Sequence, residues 1–249
     1  MPDPVTLPVL LKALRLPAFA RHWQRISETA QAEGWSAPQF LAWLCEQELA
    51  ERETRRIQRF AHQSQLPGAK TFACFDFKHA KGADPRRVRA LAEDTDWVTE
   101  GHNLIVFGPS GVGKSHLAAA IGHALIEKGV RVRYTTATTL VQHLQSARQA
   151  LKLPDALVKL DKFAVLIVDD LGYVKKNEQE TSVLFELIAH RYESASLIVT
   201  ANQPFSDWDQ VFTDTMMTVA AVDRLIHHAT IIELKNDSYR RREAAAKAA

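Results

Sequence analysis

Hydrophobic residues follow two different spacings along the chain. From residue 5 to about residue 62 they recur every three or four positions, which is the period of an amphipathic α-helix. From residue 103 onward, short apolar runs alternate with segments that keep the helical period. This change predicts a small all-helical module followed by an α/β domain. We place the two regions at residues 1–65 and 66–249.

The helical module is predicted to contain three helices. Pro17 separates the first two, because proline cannot continue an interior hydrogen-bond ladder, and Gly34 ends the second. Ser36 and Gln39 have the spacing of a capping box and open a third helix that ends near residue 62. In the first half of this helix, the residues expected to be buried are Phe40, Leu41, Leu44 and Cys45.

The second region alternates strand and helix patterns. A linker and an entry helix occupy residues 66–100, and five strands follow, which predicts a mainly parallel sheet covered by helices on both faces. Ligands of such sheets bind at the carboxyl ends of the strands. The alanine-rich end, residues 243–249, is expected to fray. The predicted strands are 103–107, 131–136, 163–168, 196–200 and 230–234; the predicted helices are 86–94, 114–128, 138–150, 154–161, 179–193, 206–211 and 218–228.

Charge is distributed unevenly. The whole chain has a net charge of only +2, but residues 52–89 contain ten Lys and Arg against three acids, a local net charge of +7. Such an excess is typical of a surface that attracts a polyanion, although a solvated charged face has the same composition. The DNA-binding candidates, at the end of the third helix, are Arg52, Arg55, Arg56 and Arg59.

The composition, with 46% hydrophobic and 24% charged residues, is ordinary for a globular protein. Neither Cys45 nor Cys74 has metal-ligand spacing, and both are expected to be buried, reduced thiols. The start lacks the pattern of a signal peptide, and no apolar run approaches the roughly 18 residues that span a bilayer. We therefore expect a cytoplasmic protein with no membrane partner.

The first predicted strand leads into a glycine-rich loop with the spacing Gly-x-x-x-x-Gly-Lys-Ser. Its glycines permit a tight path on which successive N–H groups point at phosphate oxygens. Lys114 can reach the β- and γ-phosphates, and the Ser115 hydroxyl can ligate Mg²⁺. The strand–loop–helix context makes this a P-loop, so the chain is predicted to bind a nucleoside triphosphate. The predicted binding residues are Gly108, Pro109, Ser110, Gly111, Val112, Gly113, Lys114, Ser115 and His116.

Two aspartates follow the buried strand predicted at 163–168. In a P-loop protein a carboxylate here can hold the Mg²⁺ shell beside Ser115, and we assign that role to Asp169. Asp170 can orient or deprotonate the attacking water. Adjacent aspartates after a strand also form caps and turns, but the upstream P-loop favours a Walker B arrangement.

Two further polar residues are candidates for the catalytic site. Asn202 ends the strand predicted at 196–200 and would lie beside the aspartates, where it either contacts the γ-phosphate or the water or simply opens a turn. Arg224 lies on an amphipathic helix far along the chain and is either a group that acts on a neighbouring subunit's γ-phosphate or a surface ion pair. His227 and His228 have no spaced partners and are expected to be structural.

Three aromatic residues, Phe72, Phe75 and Phe77, lie close together in the linker before the P-loop strand. Aromatic residues at this spacing usually pack at a seam between modules. A linker that precedes a P-loop strand also passes close to the nucleotide base in many ATPases. Both interpretations are open from the sequence.

These features together resemble the IstB-like ATPases of insertion sequences, transposition helper proteins related to the helicase loader DnaC and the initiator DnaA. The resemblance covers nearly the whole chain, including its leucine-rich helical start. The motifs that carry it are Lys-Thr-Phe-x-x-Phe-Asp-Phe at 70–77, Gly-Pro-Ser-Gly-Val-Gly-Lys-Ser at 108–115, Leu-Ile-Val-Asp-Asp-Leu-Gly-Tyr at 166–173, Thr-Ala-Asn-Gln-Pro-Phe at 200–205, Asp-Arg-Leu-Ile-His-His-Ala at 223–229 and Ser-Tyr-Arg at 238–240.

The resemblance implies an AAA+ ATPase fold, ATP and Mg²⁺ as ligands, and ATP-driven homo-oligomerisation on double-stranded DNA with the nucleotide between subunits. It also implies a cognate transposase as partner. By position, it implies that Asn202 is sensor 1, that Arg224 is an arginine finger acting on a neighbouring subunit, and that Arg240 is sensor 2. The second Walker B acid is commonly Glu in this family. Asp170 is one methylene shorter, so the resemblance does not fix the hydrolysis rate.

Two other functions share the nucleotide-binding motifs. A DnaC-like helicase loader would have the same nucleotide chemistry, with a helical module that binds a replicative helicase instead of a transposase. A monomeric P-loop kinase of small metabolites would need neither the helical module nor the distant Arg224. The sequence therefore favours the transposition helper over the loader, and both over the kinase.

Overall fold

The computed structural model describes residues 4–172, 178–204, 208 and 215–235. The chain divides into two compact units, Met1–Arg59 and Phe60–Ala249. The division falls inside a long helix, upstream of the boundary predicted after residue 65. Each unit has buried residues of its own.

The first unit is helical, as predicted. A 3₁₀ turn at Pro4–Thr6 leads into α1 (Leu7–Ala13), α2 (Pro17–Ala32) and α3 (Ala37–Ser64), which continues into the second unit. Pro17 is the first residue of α2, where its missing N–H costs no hydrogen bond. The Gln39 side chain accepts hydrogen bonds from Ser36 N at 2.8 Å and Ser36 Oγ at 2.9 Å. These contacts fix the start of α3 at the predicted place.

The centre of this unit is a buried carboxylate. Glu48 is 3% exposed and accepts hydrogen bonds from Ala18 N at 2.8 Å and Arg52 Nε at 2.8 Å, and Arg55 contacts it at 3.3 Å. Burial acts to raise the pKa of Glu48, but the hydrogen bonds from Arg52 and Ala18 and the nearby positive charges outweigh it and lower the pKa. Glu48 therefore ties the start of α2 to α3.

The predicted burial of α3 is partly wrong. Leu44 is buried as expected and Phe40 is half-buried, but Leu41 and Cys45 are exposed. For Cys45 the reason is rotation about the helix axis: Glu48 lies one turn after Leu44 on the same face, whereas Cys45 lies about 100° away from Leu44. Cys74, in the second unit, is also exposed, so neither cysteine is the buried thiol that was predicted.

The second unit is built on a five-stranded sheet in which every pairing is parallel, which confirms the predicted fold class. The strand order is β2-β3-β4-β1-β5, so β4 lies between β1 and β3. The middle strands β3 and β4 are buried along their whole length, as expected for a sheet covered on both faces. The strands are β1 (Asn103–Phe107), β2 (Val132–Thr136), β3 (Val165–Asp169), β4 (Ser196–Ala201) and β5 (Ala229–Glu233).

The helices of this unit agree with the predicted pattern. Short 3₁₀ turns at Phe72–Cys74 and Phe77–His79 precede them, and α5 is an addition that the sequence pattern did not predict. The helix predicted at 206–211 and the tail at 243–249 lie outside the described residues, apart from Trp208. The helices are α4 (Pro85–Glu93), α5 (Asp96–Thr99), α6 (Lys114–Glu127), α7 (Ala137–Gln149), α8 (Leu153–Leu160), α9 (Glu178–Arg191) and α10 (Thr215–Ile226). No helix in the described part of the chain is long and apolar enough to cross a membrane.

A buried arginine joins the amino ends of two central strands. Arg191, at the end of α9, is 1% exposed and its guanidinium donates to the carbonyl oxygens of Leu160, Phe163, Ala164 and Ser196 at 3.0–3.3 Å. Burial lowers the pKa of Arg191 to about 10, which leaves it charged at neutral pH. The charge lies 3.9 Å from Asp161. Arg191 thus satisfies carbonyl groups that the start of β3 and of β4 would otherwise bury without a partner.

Replacing Arg191 with methionine removes this donor while keeping an apolar side chain of similar length. We expect Arg191→Met to lower the free energy of unfolding by about 3 kcal/mol and the unfolding midpoint by roughly 6–12 °C, because several buried carbonyls lose their partner. Arg148→Met is the matched control, since the Arg148–Glu186 pair is partly exposed and contributes about 1 kcal/mol or less. Equal midpoints for the two variants in thermal denaturation would contradict this role.

Candidate nucleotide-binding site

The P-loop connects β1 to α6, as the sequence predicts. Gly108 has φ 142°, Gly111 has φ 82° and Gly113 has φ 103°, all values that side-chain-bearing residues rarely adopt. A Cβ atom on Gly108 would lie 2.2 Å from the carbonyl oxygen of Leu234, so any side chain there would force β5 away from the loop. Gly113 is the residue before the first turn of α6. The glycines therefore bring the loop N–H groups and the start of the helix together.

The loop closes around a lysine. Lys114 is 5% exposed, and its Nζ donates to the carbonyl oxygens of Gly108 at 2.9 Å and Pro109 at 2.8 Å. These contacts hold the ammonium group within the curve of the loop, where it can interact with the phosphates of a nucleotide. Ser115 follows on the first turn of α6 and is half-buried. A cation, a hydroxyl and a helix start in this arrangement fit a polyphosphate.

Asp169 ends β3 and is held by two hydroxyl groups. It is 4% exposed, and its two carboxylate oxygens accept hydrogen bonds from Tyr134 Oη and Thr200 Oγ1, each at 2.5 Å. Burial, the hydrogen bond to Asp169 and the charges of Asp169 and Asp170 all raise the pKa of Tyr134. Tyr134 therefore stays protonated and remains a donor to the carboxylate. The sequence pattern predicts Asp169 but neither of its two hydroxyl partners.

Thr200 links the two aspartates. Its hydroxyl donates to Asp169 and accepts the backbone N–H of Asp170 at 2.9 Å, while its carbonyl accepts the N–H of Leu171 at 2.8 Å. Asp170 has φ 60° and an exposed side chain, so the chain turns sharply at this residue and presents the carboxylate away from the core. Asp is among the residues that tolerate this conformation best. A threonine in the otherwise apolar run Leu-Ile-Val-Thr-Ala was the one signal that could have revealed this contact.

The strand order brings the remaining candidate to the same edge. Because β4 lies between β1 and β3, its end separates the P-loop from Asp169. The carbonyl oxygen of Ala201, the last residue of β4, accepts the N–H of Gly108 at 3.3 Å. Asn202 follows directly and is half-buried. The P-loop, the two aspartates and Asn202 thus share the carboxyl edge of the sheet.

Arg224 does not belong to this group within one chain. Its Nη1 donates to the carbonyl oxygen of Ala220 at 2.8 Å, and its guanidinium lies 5.4 Å from the centre of the Phe185 ring. The next residue, Leu225, accepts a hydrogen bond at 3.1 Å from the side chain of Asn103, which begins β1. Arg224 is therefore on the segment bound to the amino end of β1, about 16 Å of strand away from the P-loop at the other end. Arg240 lies outside the described residues.

The linker aromatics pack against the start of α6. The Phe75 ring lies so close to Gly113 that a Cβ atom on Gly113 would be 3.3 Å from it. The Phe75 and His116 rings pack edge-on, with their centroids 5.2 Å apart. His116 Nε2 also lies 3.0 Å from the carbonyl oxygen of Thr71. The Phe77 ring packs against both other phenylalanine rings, and its centroid lies 4.8 Å from that of Phe75 and 6.2 Å from that of Phe72. The linker therefore covers one side of the P-loop.

The histidines that follow Arg224 have a neighbour that the sequence did not predict. His227, His228 and the distant Glu193 are all exposed, and each offers a ligand atom within 4.8 Å of the others. Tyr192 Oη lies 2.8 Å from His227 Nδ1. Sequence spacing could not reveal these contacts, because Glu193 lies far from the two histidines along the chain. That the histidines are structural stays a prediction. These groups lie at the amino edge of the sheet, apart from the P-loop.

The fold and this site define a P-loop ATPase of the AAA+ class. The DnaC helicase loader aligns over 60% of this chain and 87% of its own with a TM-score of 0.53 and 23% identity. DnaA of Aquifex aeolicus, bound to AMPPCP, aligns over 74% of this chain and 56% of its own with a TM-score of 0.56 and 18% identity. At these identities the similarity shows the fold, and it confirms the AAA+ prediction.

Within this class, the chain belongs to the IstB-like ATP-binding protein family, whose model matches residues 9–247. A putative insertion sequence ATP-binding protein of Sinorhizobium fredii is 52% identical over 97% of this chain and 81% of the relative. The resemblance found in the sequence is thus confirmed. The chain is thus an ATP-binding ATPase of the IstB-like family.

The contact between Thr200 and Asp169 allows a direct test of how the site is built. We expect Thr200→Val to lower kcat for ATP hydrolysis about tenfold, because Asp169 loses one hydrogen bond and the turn at Asp170 loses its support. Affinity for ATP without divalent cation should stay unchanged, since Thr200 does not belong to the P-loop.

Thr200→Ser is the matched control, because it keeps the hydroxyl and should retain most of the activity. Tyr134→Phe removes the second hydroxyl and should act in the same direction. Steady-state hydrolysis over a Mg²⁺ titration measures both effects. Full activity of Thr200→Val at every Mg²⁺ concentration would show that this hydroxyl does not position the carboxylate.

Proposed function

We propose that this protein is an ATP-dependent transposition helper that oligomerises on duplex DNA and recruits or activates a cognate transposase. The observation that carries the proposal is the separation of the catalytic groups. Asp169, Asp170 and Asn202 lie with the P-loop at one edge of the sheet, whereas Arg224 lies on the segment that binds the other end of β1. An arginine placed there supports a site that is completed by a second copy of the chain.

Within one subunit, different residues would bind different parts of ATP and its Mg²⁺ ion. The loop N–H groups and Lys114 would hold the phosphates, and the aromatic side of the loop formed by Phe75 and His116 would lie toward the base. Ser115 and Asp169 would hold Mg²⁺, which neutralises charge on the phosphates when it is bound. Asp169 fits this role because it is a buried carboxylate fixed by two hydroxyl donors.

Asp170 and Asn202 would act on the attacking water. The carboxylate of Asp170 is exposed at the edge of the sheet, where it can accept a proton from a water molecule or orient it. Asn202 can hydrogen-bond the same water or the γ-phosphate. Arg224 of a neighbouring subunit would then stabilise the negative charge that develops on the transferred phosphoryl group. Arg240 is proposed to contact the nucleotide as sensor 2.

The helix that carries Arg224 also has an exposed apolar stripe. Met216 is 83% exposed, Val219 is 64% exposed and Ile226 is 38% exposed, and all three lie on one side of α10. Apolar side chains grouped in this way on a helix commonly mark a protein interface. They support docking of α10, the helix that carries Arg224, on a second copy.

Duplex DNA is the proposed polyanion for the basic part of the chain. Arg52, Arg55, Arg56 and Arg59 remain candidates for phosphate contact, although Arg52 and Arg55 already contact Glu48 and Arg56 contacts Glu53. The Sinorhizobium relative is named as a putative insertion sequence ATP-binding protein. This family membership favours a transposition helper over a helicase loader, and the helical first unit argues against a small-molecule kinase.

A complementation experiment tests whether Arg224 acts between subunits. We expect Lys114→Ala to lose nucleotide binding and Arg224→Ala to bind ATP but hydrolyse it at least 100-fold more slowly, because only transition-state charge is affected. A mixture of the two variants should regain part of the activity, since the intact P-loop of one can pair with the intact Arg224 of the other.

Mixing each variant with a double Lys114→Ala/Arg224→Ala protein is the control and should restore nothing. Arg148→Ala, a partly exposed arginine that pairs with Glu186, controls for loss of charge alone. Normal turnover of Arg224→Ala, or no recovery in the mixture despite normal assembly, would remove the arginine-finger role.

DNA binding should depend on ATP and on salt. We expect the protein to bind duplexes of unrelated sequence with similar affinity in ATP, and log K to fall linearly with log salt concentration by about 0.9 for each phosphate contacted. Arg55/Arg56/Arg59→Ala should weaken all duplexes equally, because phosphate contacts carry no sequence information. Fluorescence anisotropy measures both, and an affinity independent of salt would contradict the proposal.

A further inference from the structure

We infer that the exposed face of α4 in the ATPase unit is a binding surface for the phosphates of DNA, formed by Arg86, Arg87 and Arg89. The inference rests on the proposed function for the identity of its ligand. The surface itself is defined by the geometry of α4. It is additional to the arginines of α3, which belong to the other unit.

The three arginines project from one side of a firmly held helix. Val88 is fully buried and Ala92 is 4% exposed, and both lie on the side that packs toward the core. Successive residues of a helix are rotated by about 100°, so Arg86 points nearly opposite Val88, with Arg87 and Arg89 on either side of it. All three are exposed. Helix α4 therefore presents an arc of guanidinium groups to solvent.

The charge of this arc is not neutralised within the chain. Among the described residues, no acid forms an ion pair with any of the three arginines. This holds also for Glu93, which lies in the last turn of α4 itself. The nearest acid in sequence, Asp84, caps the helix by accepting the N–H of Arg86 at 2.9 Å. Asp76 accepts the N–H of Lys78 at 2.9 Å and contacts His79.

The arginines of α3 differ in this respect. Glu48 and Glu53 contact three of them, and Glu48 is buried. Releasing Arg52 or Arg55 to a phosphate would leave a buried carboxylate without its counter-charge, which is costly. Binding a phosphate on α4 breaks no ion pair. The α4 arginines therefore offer more net attraction per side chain.

The chemistry favours an extended polyanion over a small anion. Guanidinium groups match phosphate oxygens with two parallel hydrogen bonds, but on an open helix face a single contact is weakened by water and salt. Several such contacts along one strand of DNA add together and release condensed counterions. Lys78 and Lys81, both exposed, precede α4 in the chain and add to the positive charge of this segment.

The position of α4 also connects this surface to the nucleotide. Helix α4 packs on α6, the helix that begins with the P-loop residue Lys114. DNA held on α4 would therefore restrain an element whose other end contacts ATP. The contact between α4 and α6 offers a route by which the two ligands can be coupled without touching each other.

The test compares two sets of substitutions with the same loss of charge. In the full-length protein with ATP, we expect Arg86/Arg87/Arg89→Ala to weaken binding to duplex DNA on the order of 100-fold at physiological salt and to reduce the salt slope by about two to three. Arg55/Arg56/Arg59→Ala should lose less DNA affinity than the α4 alanine variant, because Glu48 and Glu53 already neutralise part of the charge of the α3 arginines. Arg86/Arg87/Arg89→Lys keeps the charge and should retain most of the affinity and the slope.

Nucleotide affinity measured on the same samples shows that each variant is folded. Wild-type affinity and slope for the α4 alanine variant would overturn the inference and leave the proposed function standing. A wild-type protein that fails to bind duplex DNA in ATP would overturn the proposed function itself. If the α4 variant binds DNA normally but loses an acidic protein partner, the surface is a protein-docking site and the inference is wrong.

Discussion

The hydroxyl of Thr200 is the contact on which the nucleotide site depends. It donates to the carboxylate of Asp169 and accepts the N–H of Asp170, so one side chain on β4 fixes both acids at the end of β3. The same strand reaches the P-loop through the bond between Gly108 N and the carbonyl of Ala201. A single central strand thus sets the distance between the loop that would hold the phosphates and the carboxylates that would act on the metal and the water.

This arrangement follows from the order of the strands. In a parallel sheet every carboxyl end lies at one edge, and the order β2-β3-β4-β1-β5 places β4 between the two functional strands. The amino edge is stabilised separately, by Arg191 and by the contacts of Asn103 with Leu225 and Leu197. Because α10 returns to that amino edge, Arg224 is kept away from the P-loop of its own chain. The fold therefore separates the groups that a subunit uses itself from a group that it can offer to a neighbour.

Much of this could be predicted from the sequence, because strong local patterns determine it. The P-loop and Asp169 follow apolar runs that end in glycine or in an acidic residue, and the alternation of strand and helix patterns predicted the parallel sheet that the structure confirms. What the sequence could not show are contacts between residues far apart in the chain. Tyr134 and Thr200 donate hydrogen bonds to Asp169 from other strands. Glu193 contacts His227, which lies 34 residues later in the chain. The burial of α3 was mispredicted for a related reason: Glu48, a charged residue, occupies the core position because α2 supplies its partner.

The central claim is that one chain carries only part of an ATP site and that a neighbour completes it on DNA. Electron microscopy of the protein with duplex DNA and a non-hydrolysable ATP analogue, compared with ADP, tests this most directly. The account predicts ordered oligomers with the analogue, in which the Arg224 guanidinium lies within hydrogen-bond distance of the γ-phosphate held by the adjacent subunit's P-loop, and loss of that contact in ADP. Monomers on DNA in both nucleotides, or oligomers in which Arg224 faces solvent, would contradict it.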